Sequence, residues 1–143
     1  MLASGRGSNL QALIDAVATG ALDARLVGVF SDRATAFALE RARRAGIAAV
    51  AANPRDFADR PAFDKHVFSH IDAVHPDVIV CAGYMRLLSE HEVQAHAGRI
   101  INIHPSLLPA FKGLRTHEQA LAAGAAEHGA SVHVVSAELD AAR

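Results

Sequence analysis

The sequence predicts an α/β fold, a doubly wound and mostly parallel sheet. Short apolar runs alternate along it with helix-period stretches. A glycine-rich turn also stands just before the first helical stretch, as in folds that bind ligands at strand ends. Met1-Leu2-Ala3 is a strand stub, and Leu10, Leu13, Ile14 and Val17 mark the first helix stripe. Arg25–Phe30 and Ile47–Val50 read as strands. Phe63, Val67, Ile71 and Val74 form a second helical stripe, followed by a strand over Val78–Cys81. Ser89 with Glu92 predicts a capping box, and Leu88 with Val93 a hydrophobic staple. Arg99–Ile103 is the next strand, Thr116 with Gln119 a second capping box, and Ala130–Val135 the last strand. No repeat, linker or low-complexity stretch divides the 143 residues, so a single domain is expected over 1–143.

Composition narrows the function by exclusion. A net charge of −1 offers no basic field for nucleic acid. No segment has the length and apolarity of a membrane span or the pattern of a signal peptide, which predicts a cytoplasmic protein. The single cysteine, Cys81, lies inside an apolar run with no base beside it in sequence, which predicts a reduced core residue.

In doubly wound sheets ligands bind outside the carboxyl ends of the strands, so those ends hold the candidate sites. At Arg99-Ile-Ile-Asn-Ile-His-Pro-Ser-Leu-Leu-Pro109, alternation along a strand aims Asn102 and His104 the same way, and Pro105 keeps His104 extended. An amide beside a titratable ring suits carbonyl chemistry: one holds a carbonyl oxygen while the other handles a proton or developing charge. The competing reading is a strand ending in a proline turn with His104 merely hydrogen-bonded at a surface.

In Ser4-Gly-Arg-Gly-Ser-Asn9, Gly5 and Gly7 permit a tight turn, and the amides of Gly7, Ser8 and Asn9 at a helix start suit a phosphate. Leu10 stands where a dinucleotide fingerprint needs its third glycine. Asp32, at the end of the following strand, is the one feature that favours a dinucleotide, and a mononucleotide phosphate fits better. In Ala82-Gly-Tyr-Met-Arg-Leu-Leu88, the apolar Tyr84, Met85, Leu87 and Leu88 either cover a flat apolar ligand or pack the next helix, the latter suiting Leu88 best. Asp140 could bring a carboxylate to His104, or be a solvated residue near the chain end. His91 and His96 are five apart and leave one helix face, which excludes a zinc-protease helix, and His66 with His70 lacks a third ligand and reads as a solvent-facing pair.

Taken in order, Ser4–Leu10, Ala82–Leu88, Asn102–Pro109, His128-Gly-Ala-Ser-Val-His133 and Glu138-Leu-Asp140 resemble the phosphoribosylglycinamide formyltransferase family, over essentially the whole chain. Asn-x-His-x-Ser-Leu-Leu-Pro is shared across formyl-tetrahydrofolate enzymes, and the Ser-Gly-x-Gly-Ser-Asn loop points to the glycinamide ribonucleotide branch. The resemblance implies a Rossmann-like formyltransferase fold that passes a formyl group from 10-formyltetrahydrofolate to the amine of 5-phosphoribosylglycinamide. It implies no metal, and small molecules rather than nucleic acid or membrane as partners, with the oligomeric state open. By that resemblance Asn102, His104 and Asp140 are catalytic, and Gly7, Ser8 and Asn9 hold the ribonucleotide. Arg60, Met85, Arg86, Leu87 and Leu88, with Asn102, serve the folate.

The chain departs from the family in three places. Only Met1-Leu2-Ala3 stands where the family has a full strand, the chain ends at Arg143 where the family continues, and Arg115 replaces a histidine common among relatives. A shortened, marginally stable domain follows, with unpaired neighbours of the first strand and a poorly held glycine loop. Two alternatives stand beside the transferase, a formyltetrahydrofolate hydrolase and a non-catalytic nucleotide-binding remnant.

Overall fold

A computed structural model describes residues 1–104 and 131–135. Its elements run α1 (Ser8–Ala18), β1 (Val29–Ser31), α2 (Phe37–Arg44), β2 (Ala49–Ala51), a 3-10 turn (Pro54–Asp56), α3 (Arg60–Ala73), β3 (Ile79–Ala82), α4 (Glu90–Ala95), β4 (Ile100–His104) and β5 (Ser131–Val134). The second capping box (Thr116, Gln119), Arg115 and Asp140 lie outside the described residues.

Strands β1 and β2 pair in parallel, as do β3 and β4, while β5 runs antiparallel to β4. Residues 1–4 join the two halves. Leu2 bridges Phe30 on one side and Cys81 on the other, both in parallel. The order across the sheet is therefore β2, β1, residues 1–4, β3, β4, β5. This is the doubly wound arrangement, with its topological switch between residues 1–4 and β3.

The expectation of unpaired neighbours and a loose glycine loop is corrected here. The amides of Leu2, Ala3 and Ser4 donate to Val80, Phe30 and Gly83, and those of Phe30 and Ala82 donate back to Met1 and Leu2. The Met1 amine adds a bond of 2.8 Å to the Gly28 carbonyl. Four residues thus bond to both flanking strands, because in a parallel ladder each residue of a central strand alternates its bonds between its two neighbours. The strand expected over 25–30 pairs only from Val29 onward, where Ala49 lies opposite.

Strand alternation divides the core into two layers. Leu2 and Phe30 face α3, packing with Phe63, Val67, Phe68, Ile71, Ile79, Cys81 and Ile100. Ala3 and Val29 face the other way, against Leu10 of α1 and Ala38, Leu39 and Ala42 of α2. Phe63 and Phe68 are at most 1% exposed, each contributing about 1.5–3 kcal/mol of transfer free energy. Cys81 is buried and free, as the sequence predicts. Among the described residues no helix is long and apolar enough to cross a membrane.

The capping box at α4 is the second correction. Ser89 is the N-cap residue, but its side chain makes no capping hydrogen bond. Its backbone N–H donates instead to Asp64 of α3, 2.5 Å away in a buried position. Glu92, freed from the N-cap amide, places Oε2 3.6 Å from Nδ1 of His96 one turn later.

Candidate functional site

The switch point brings two sequence motifs together. Gly7, the N-cap of α1, sits at φ 76°, a left-handed conformation that suits glycine. A Cβ there would meet the Cα and Cβ of Ala38 at 2.8 Å, so glycine is also what lets the loop close onto α2. Around it the Gly5 carbonyl accepts from the Ala38 amide, and Nε of Arg41 donates to the Arg6 carbonyl at 2.7 Å. Nη1 of Arg41 reaches Oε1 of Gln11 as well. Ser8 and Asn9 are exposed at the start of an eleven-residue helix, where free amides and the helix dipole favour an anion.

Across the switch runs the segment after β3, beginning with Gly83 at φ 68°. Ser4, 2% exposed, accepts the Met85 N–H on its hydroxyl oxygen at 2.8 Å and donates its own N–H to the Gly83 carbonyl, so two hydrogen bonds join the two ligand-facing loops. Met85 and Leu87 point into solvent at 56% and 54% exposure, while Tyr84 and Leu88 pack on the core. That division separates the segment's structural side chains from the two available to an apolar ligand. The Arg86 guanidinium lies 5.2 Å over the Phe63 ring. Burial, with the carboxylates of Asp32 and Asp64 nearby, pushes the Tyr84 hydroxyl above its usual pKa.

Asn102 is half-buried in β4, opposite Cys81 of β3 and His133 of β5, and His104 ends the strand opposite Ser131. Both lie in β4, two residues apart. They stand one strand from the 83–88 segment and two from the glycine loop. Arg60 opens α3 and is exposed, and with Arg86 it is one of two cations that act on the buried carboxyl of Asp64. The structure therefore places the glycine loop, the 83–88 segment and the end of β4 at the carboxyl ends of three adjacent strands.

Sequence reasoning missed Ser4, Asp64 and Arg41, which hold these loops from below. Asp64 had a visible signal, a carboxylate between Phe63 and Val67 in an otherwise apolar stripe. His66 and His70 are exposed as expected, their rings 4.8 Å apart. His96 is buried, its ring 4.8 Å from that of Phe68 and its Nε2 2.8 Å from Oδ1 of Asp72.

Comparison with known proteins agrees with this architecture. The formyl transferase family model matches residues 1–143, and the chain belongs to that family. The chain is 53% identical over 140 residues to a phosphoribosylglycinamide formyltransferase of Escherichia coli, an alignment covering 98% of this chain and 66% of that protein. A second phosphoribosylglycinamide formyltransferase, from Haemophilus influenzae, is 41% identical with the same coverage. The chain thus spans 66% of the length of these curated relatives. Among solved structures, glycinamide ribonucleotide transformylase 1 from Symbiobacterium toebii superposes with a TM-score of 0.94 at 46% identity, covering 97% of this chain and 66% of that one. The Coxiella burnetii phosphoribosylglycinamide formyltransferase, in complex with CHES, gives 0.93 at 48% identity, with coverage of 98% and 65%.

Proposed function

We propose that the chain carries the catalytic domain of a folate-dependent formyltransferase, moving a formyl group from 10-formyltetrahydrofolate to the amine of 5-phosphoribosylglycinamide in purine synthesis. The observation that carries this reading is the placement, at the carboxyl ends of three adjacent strands, of a phosphate-suited helix start, an exposed apolar pair and the Asn102/His104 strand end. The names of the relatives support the choice of substrates.

By this reading Gly7, Ser8 and Asn9 hold the ribonucleotide phosphate through backbone amides. Met85 and Leu87 cover the pterin, with Arg86 and Leu88 completing that wall and Arg60 meeting the carboxylate tail. The substrate's primary amine attacks the formyl carbon. Asn102 donates to the formyl oxygen, and protonated His104 stabilises the tetrahedral oxyanion. Asp140 keeps the imidazole charged, and a water carries the proton from the attacking nitrogen to the leaving nitrogen of the folate. The reaction consumes small molecules and suits a cytoplasmic setting.

The test is direct. Mixing the 143-residue chain with both substrates should give formylated ribonucleotide and tetrahydrofolate, and His104→Ala should slow that turnover about 100-fold or more. Formate release that does not need the ribonucleotide would establish a hydrolase instead, and ligand binding without turnover a non-catalytic remnant.

A further inference from the structure

We infer that Asp64 is the positioning residue of the co-substrate segment, setting where Met85–Leu88 stands. The inference rests on the reading of that segment as the folate wall. Asp64 lies on α3 at 1% exposure, among the apolar side chains of the larger core layer. A carboxylate in such a place costs several kcal/mol unless it is paired and hydrogen-bonded, so its partners are the reason it is tolerated.

Those partners all belong to the candidate folate site. Its Oδ2 accepts the N–H of Ser89, the residue that closes the segment. Burial pushes the carboxyl above its usual pKa, and the Ser89 N–H, the Arg60 cation and the Arg86 cation oppose that shift. Arg60 precedes Asp64 by one helical turn, and Arg86 lies over the neighbouring Phe63 ring. The far end of the segment is held separately, by the bond from Met85 N–H to Ser4. Residues 85–89 are thus pinned at both ends, and the pin at Ser89 is a buried carboxyl oxygen 2.5 Å from the amide. A buried group serving only the core would have no need of that arrangement.

The experiment compares Asp64→Asn and Asp64→Ala with the parent 143-residue chain, measuring binding of tetrahydrofolate and of glycinamide ribonucleotide by calorimetry. The asparagine keeps the shape and one acceptor oxygen, whereas alanine removes both the acceptor and the charge. Expected is a loss of folate affinity of about tenfold or more in the alanine variant and an intermediate loss in the asparagine variant. Ribonucleotide affinity, which depends on the Ser4-held glycine loop, should stay within about twofold. Equal loss of both ligands, as in a chain that fails to fold, assigns Asp64 to the core and overturns the inference. Unchanged folate affinity in a folded asparagine or alanine variant overturns it too. A parent that binds the ribonucleotide but no folate removes the folate reading and this inference together, an outcome distinct from the variant failures.

Discussion

The hydroxyl oxygen of Ser4 accepts the backbone N–H of Met85 at 2.8 Å across 81 residues of sequence. This bond spans the topological switch and couples the glycine loop to the 83–88 segment. Ser4 is 2% exposed, so truncating it leaves the Met85 amide without its partner in a half-buried place. Ser4→Ala should therefore cost about 1–3 kcal/mol of stability in urea unfolding. A change below about 0.3 kcal/mol would mean that water replaces the hydroxyl freely and that the Ser4 side chain does not couple the two loops.

Gly7 and Gly5 offer a paired test of the glycine loop. Gly7 has φ 76° and would press a Cβ to 2.8 Å of Ala38, whereas a Cβ on Gly5 meets nothing within 4 Å. Gly7→Ala should destabilise the chain by about 2 kcal/mol or more, through left-handed strain plus displacement of α2. Gly5→Ala should stay within about 1 kcal/mol of the parent. Equal thermal shifts for the two would remove the close approach to α2 as the reason for glycine at position 7. A bulky residue at Gly7 is for the same reason a poor probe of phosphate binding, since it disturbs the fold first.

Strand identity was legible because apolar period depends only on local sequence: β1, β2, β3, β4 and β5 all overlap predicted runs, whereas α2, with arginines at 41, 43 and 44, was not predicted. The α3 stripe was legible too, with Phe63, Val67 and Ile71 buried. What failed to show was pairing. The Ser89/Glu92 pattern predicts a local capping box, but Asp64, 25 residues earlier, reaches the Ser89 amide first. Likewise Met1-Leu2-Ala3 looks too short to be a strand by itself, yet two finished neighbours hold it in place with hydrogen bonds on both sides. Both outcomes are long-range, and a one-dimensional period carries no information on them. That residues 102 and 104 fall in one strand was legible because an apolar run is itself a local signal.

The amine of Met1 supplies a pH test of the central position. In the 143-residue chain burial lowers its pKa from 8.0 to about 6, with a weaker opposing effect from Cys81. The unfolded chain therefore holds more protons than the folded one between those values, and folding stability rises with pH across that window. At about 1.36 kcal/mol per pKa unit, the contribution approaches 3 kcal/mol, present in full at pH 8 and above and lost as the pH falls toward 6. The comparison needs a second chain whose amine is acetylated, so that every other titrating group is common to both. The acetyl amide keeps one N–H for the Gly28 carbonyl but carries no charge. Urea unfolding at pH 6 and pH 8 should show a clearly smaller pH dependence in the acetylated chain. If the two chains change equally with pH, the Met1 amine is solvated in the folded state and does not sit between β1 and β3.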